Sequence, residues 1–146
     1  MGTDSAGNGS QRSDEYHVVA VAGGYQRLAA WQTAMDLVDA VYGETRTWPK
    51  EEVYGLTAQV RRAAVAIPSN IAEGHGRTGA REFAHHVSIA FGSLGELETQ
   101  LFIAQRQGFS SEDAITSILA KTGEVRRITR GLLNSLRTQS AERQQR

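Results

Sequence analysis

The sequence predicts an all-α protein: an antiparallel up-down-up-down four-helix bundle with a disordered N-terminal arm. Three observations lead there. From Leu28 onward, apolar residues recur at alternating spacings of three and four, the period of helices that pack through a narrow stripe. The stripe falls into four segments joined by short connections, and short connections between long helices make neighbours antiparallel. No strand pattern competes with this period.

Residues 1–24 open MGTDSAGNGSQRSD and close at Gly23-Gly24; their Gly, Ser and polar content reads as a disordered arm. The bundle domain is expected over 25–140, with 141–146 as a disordered tail. The first helix carries Leu28, Trp31, Met35, Val38 and Tyr42 in its stripe. Pro49 then stands where a first helical turn tolerates it, with Glu51 and Glu52 at the positive end of the helix dipole. The second stripe is Val53, Leu56, Val60, Ala63 and Ile67, and Ile71 continues it beyond Pro68. Pro68 therefore kinks this helix rather than ending it, with Ser69 and Asn70 able to serve the carbonyls it leaves free. Gly74 is expected to end the helix and Thr78 to cap the next.

The third helix runs Phe83, Val87, Ala90, Leu94, Leu97, Leu101 and Ala104 without a break. Gly108 is placed to end it in a left-handed conformation, with Phe109 packing back on the last turn. Ser110 with Asp113 three residues later resembles a capping box for the fourth helix. That helix carries Ile115, Ile118, Thr122, Val125, Thr129, Leu132 and Leu136.

The 146 residues suffice for one domain with a real core, and 40% hydrophobic with 22% charged residues is ordinary globular usage. The absence of cysteine excludes disulfides, thiolate nucleophiles and cysteine-based zinc sites. Net charge is zero but unevenly spread: residues 1–60 hold four bases against eight acids, and residues 121–146 seven against two. No apolar run approaches the ~20 residues of a membrane span. Val18–Ala22 is too short, and its acidic flank wrong, for a signal peptide. A soluble cytoplasmic protein with no membrane association is expected.

Ala84, Phe91, Gly95, Glu98 and Phe102 form a second stripe on the third helix, displaced by about 40–100° from the first at ~100° per residue. It is either the margin of a broad core or an oligomer interface, in which small residues permit close approach and Glu98 finds a partner across the contact. Glu82 and His85 are a Glu-x-x-His pair of the di-iron type, but they project off the core stripe and lack the carboxylates of the other helices, so no metal site is expected. His75 and His86 read as surface histidines. Gly74-His75-Gly76-Arg77 lacks the glycine frame and Lys-Ser/Thr of a phosphate loop, and Ser69 lacks a nucleophile elbow. A non-catalytic protein without cofactor is expected.

The arginines offer more. Arg126, Arg130 and Arg137 fall within about 40° of each other on the fourth helix, with Arg127 nearby. Arg61 and Arg62 lie off the second stripe, and Arg77 and Arg81 follow around the turn. Individually each suits a solvated ion pair; as a set they suit nucleic-acid phosphates. No aromatic is interleaved among them as a base-stacking platform.

Trp31-Gln32, Ala34-Met35-Asp36-Leu37-Val38, Pro49-Lys50-Glu51-Glu52, Tyr54-Gly55-Leu56, Gln59, Arg61-Arg62-Ala63-Ala64, Ile67 through Gly74, Ala90, Gly92-Ser93-Leu94 and Glu96 through Leu101 resemble the family of 23S rRNA intervening-sequence proteins. The resemblance covers roughly residues 28–109. The family is similar in turn to the accessory variability determinant of diversity-generating retroelements, a basic homopentamer of four-helix bundles that binds nucleic acid and a reverse transcriptase. The resemblance implies a helical bundle, a homo-oligomer that is a pentamer, and RNA or DNA binding; a protein-interaction adaptor, for example for a reverse transcriptase, is the alternative.

Overall fold

The computed structural model describes residues 24–146. A short 3-10 turn, Tyr25–Arg27, leads into four helices: α1 (Ala29–Thr45), α2 (Leu56–His75), α3 (Ala80–Arg106) and α4 (Glu112–Gln144). Each helix packs on two neighbours, α1 on α2 and α4, α3 on α2 and α4, while the diagonal pairs make no close backbone contact. Arg61 lies over Tyr42, Phe83 lies against Gly74, and Arg126 binds Glu98, so sequential helices run antiparallel. This is the expected four-helix arrangement. Of the expected arm only Gly24 is among the described residues; α4, by contrast, continues through residues 141–144, which were expected as tail.

Leu37, Val41, Val60, Ile67, Ile71, Leu94, Leu97, Leu101, Ile115 and Val125 fill the core, all at 0 or 1% exposure. The α3 stripe is buried as read from Val87 to Ala104. The α1 stripe is shifted: Ala30, Ala34, Leu37, Val41 and Thr45 face inward, Trp31, Val38 and Tyr42 flank them, and Met35 is exposed. Both rows have helical spacing, and the inner row is the one with small residues where the helices approach. In α4, Leu133 rather than Leu132 is buried. Val53 is exposed because α2 starts later than its stripe suggested; Lys50–Glu52 form a 3-10 turn, and Glu52 Oε2 accepts the orphan N–H of Leu56 at 2.9 Å.

α2 continues through the buried Pro68. Asn70 Nδ2 donates to the Ala66 carbonyl at 2.8 Å, not to the Ala64 carbonyl that Pro68 deprives of its donor. Gly74 does not end α2. It is buried where a Cβ would lie 2.7 Å from both His86 Cβ and Phe83 Cδ2, so glycine here permits α2 and α3 to approach. The turn falls at Gly76, and Gly79, not Thr78, precedes α3 with φ of 92°.

Gly108 adopts φ of 78°, and Phe109 N–H bonds back to the Ala104 carbonyl at 2.9 Å, the expected Schellman ending. The cap of α4 is Ser111, whose Oγ accepts from Ala114 N–H at 3.1 Å. Ser110 is instead buried, accepting from Trp48 Nε1 and donating to Glu44 Oε1, each at 2.7 Å, and so ties the α1–α2 and α3–α4 connections to α1.

Candidate nucleic-acid interface

The antiparallel order puts the start of α1, the end of α2, the start of α3 and the end of α4 at one end of the bundle. A small apolar cluster fixes that end: Val87, Leu133 and Leu136 pack together against Ala80, Phe83 and Ala84. It holds the last turns of α4 over the start of α3. Arg137 follows Leu136 directly, and the Arg143 guanidinium comes within 3.9 Å of where a Gly79 side chain would begin. Arg77 and Arg81 flank that glycine in sequence, and Arg27 sits in the turn whose Tyr25 ring lies 6.4 Å from His75. Arginines far apart in the chain thus share one end. Glu73, Glu82 and Glu142 are the carboxylates of these same segments.

The remaining arginines are used elsewhere. Arg61 donates through Nε to Thr45 Oγ1 at 2.9 Å and covers the Tyr42 ring at 4.6 Å, knitting α2 to α1. Arg126 binds Glu98, whose other oxygen accepts from Thr122 Oγ1 at 3.1 Å. Arg130 lies over the Phe91 ring at 4.8 Å. The α4 stripe is real as geometry, yet two of its members are directed at α3. Arg62, Arg81, Arg127 and Arg137 are exposed.

Arg77 Nη2 donates to Glu73 Oε1 at 2.8 Å in an exposed i,i+4 pair. That hydrogen bond, with a contribution from the His86 ring, whose Nδ1 is 4.0 Å from the second oxygen, holds the Glu73 carboxyl below the usual carboxylate range. The same bond raises Arg77.

The second α3 stripe divides. Ala84 and Phe91 are half-buried against the core, and Glu98 pairs with Arg126 of its own chain. Gly95 and Phe102 face outward, Phe102 at 50% exposure. Glu82 and His85 are both exposed, and among the described residues no three His, Cys, Asp or Glu side chains form a group that could hold a metal. Among the same residues, no helix is long and apolar enough to cross a membrane.

Residues 26–131 match the family model described as 23S rRNA-intervening sequence protein. The chain belongs to that family. Among solved structures it is similar to a protein of unknown function from the S23 ribosomal protein family of Bacteroides thetaiotaomicron, with a TM-score of 0.64 and 16% identity, covering 71% of this chain and 97% of that one. At that identity the likeness concerns the fold. Comparison with curated proteins gives no match.

In this member of the 23S rRNA-intervening sequence family, sequence reading found Arg77, Arg81 and Arg137 but passed over Arg27 and Arg143. The missing signal was topological: an up-down-up-down order already places the end of α4 beside the α2–α3 turn. It also set His75 aside, although the His75 ring makes T-shaped contacts with both Tyr25 and Phe83 at this same end.

Proposed function

We propose that this protein is a non-catalytic, self-associating helical bundle that binds nucleic acid through its basic end, with Arg27, Arg77, Arg81, Arg137 and Arg143 facing the phosphates. The convergence of Arg143 on Gly79, between Arg77 and Arg81, is the observation that carries the reading. Cations at one end of a bundle present a compact patch, and each neutralised phosphate releases counterions. The family name, which refers to insertions in ribosomal RNA, makes structured RNA the first candidate. Arg61, Arg126 and Arg130 are engaged with a neighbouring helix and are assigned to the scaffold, whereas Arg77 pairs with Glu73 on the exposed surface of its own turn. Self-association, as a pentamer by resemblance, would use the outer face of α3 around Gly95 and Phe102.

The test is a salt-titrated RNA binding assay on the full chain. Affinity is expected to fall with a log–log slope of roughly −0.7 to −0.9 per phosphate contacted, and Arg81→Ala with Arg143→Ala should flatten that slope by about two contacts or less. A slope near zero, or no binding at low salt, overturns the reading.

A second reading, an adaptor for a protein such as a reverse transcriptase, is favoured by the opposite end. There Tyr54 is 95% exposed and Val53 48%, in the connection before α2. Capture of a polymerase that survives ribonuclease treatment and is lost in Tyr54→Ser would support it.

A further inference from the structure

The basic end holds an aromatic row that no single segment reveals. Trp31 from α1, Tyr25 from the preceding turn, His75 from the end of α2 and Phe83 from the start of α3 follow one another at centroid separations of 5.5, 6.4 and 5.8 Å. Trp31, Tyr25 and Phe83 are partly buried; His75 is the exposed ring. Its planes meet those of Tyr25 and Phe83 at 74° and 89°. Neither neighbour is stacked parallel on the imidazole. Both neighbours brace the ring, which reduces the rotamer freedom lost when something stacks on it.

Single-stranded nucleic acid is held by this combination of features: a flat exposed ring for a base, and cations beside it for the backbone on either side. Arg77 is two residues from His75, and Arg81 and Arg143 stand around Gly79. An internal paired base offers its face only to its neighbours in the stack, so the body of a duplex cannot use such a ring without opening.

We propose that His75 is a stacking platform for an unpaired base, and that the nucleic acid taken by the basic end is a single-stranded loop, bulge or terminus rather than a duplex. The inference rests on the nucleic-acid reading above and narrows its substrate class. His75 supplies stacking, and the surrounding arginines supply sequence-independent phosphate contacts.

The test uses full-length protein and three fluorescent probes of equal phosphate count: an oligouridylate, an oligothymidylate and a blunt RNA duplex. The single strands are expected to bind more tightly than the duplex. His75→Ala should weaken single-strand binding by roughly 5- to 100-fold and leave duplex binding unchanged. His75→Phe, which keeps a flat ring, should retain most of the affinity; its circular dichroism and that of His75→Ala should match wild type. Arg81→Ala should weaken all probes alike. If His75→Ala weakens single strand and duplex equally, or neither, while Arg81→Ala still weakens both, the stacking role is overturned and the phosphate reading stands. If no probe binds, both fail.

Discussion

Gly74 and Gly92 are both helical glycines, yet they respond to opposite demands. A Cβ at Gly74 would press on Phe83 and His86 at 2.7 Å, whereas at Gly92 nothing lies within 4 Å. Gly74→Ala is therefore expected to destabilise by about 1–3 kcal/mol through overpacking, and Gly92→Ala to stabilise by up to ~1 kcal/mol through helix propensity. Urea midpoints of the two variants check both signs. Immediately before Gly74, Glu73 has a lowered pKa because Arg77 donates to it. A depressed carboxylate contributes stability that is present above its ordinary pKa and lost as pH falls through the folded value. The stability gap between wild type and Arg77→Ala should thus be largest near neutrality and close as acid protonates Glu73. Being exposed, the pair should also weaken with salt.

α2 continues through Pro68 because residues on both sides of it are committed to the core: Ile67 and Ile71 are each at 0% exposure. Pro68→Ala restores the N–H that the Ala64 carbonyl lacks but removes a buried ring. An interior proline costs a helix ~3 kcal/mol, and the lost packing and the freer unfolded chain return much of that gain. A net stabilisation of about 1 kcal/mol is expected, read as a higher denaturation midpoint with unchanged helix content. On α4 the arginines separate by what they touch. Arg126→Ala leaves Glu98 without its cation and should lower stability by about 1–2 kcal/mol while nucleic-acid affinity holds. Arg137→Ala should do the reverse, leaving the midpoint in place and weakening binding at low salt.

At the scale of the whole molecule the charge layout is set by topology. A chain of zero net charge gathers arginines at one end because α4 returns to the α2–α3 turn, where Leu133 and Leu136 seat it on Val87. The same layout leaves Phe102 half exposed on the outer face of α3. Light scattering should find wild type at a multiple of the 15.9 kDa chain mass, and Phe102→Lys at the single-chain mass with helicity intact. A wild-type monomer would remove self-association from the proposal without touching the basic end.

Helix number, order and the α3 core row are legible in the sequence, because a seven-position apolar stripe bounded by Gly79 and Gly108 leaves one periodic solution. The Gly108–Phe109 ending was legible for the same local reason: a left-handed residue there needs glycine. Choices between two adjacent rows were not. Whether Trp31 or Ala30, Leu132 or Leu133, faces inward depends on how closely the neighbouring helix approaches, a tertiary quantity. Gly74 misled as a helix end because its reason, the proximity of Phe83, lies on another helix. Ser110 was mistaken for a cap because its partners, Trp48 and Glu44, lie more than sixty residues earlier. The candidate site followed the same division. The sequence by itself determined four amphipathic helices and an arginine-rich C-terminal end. Only the tertiary structure decided which arginines are bound to neighbours and which converge around Gly79 beside His75, because charge pairing and ring packing depend on distances between helices that periodicity along one helix does not encode.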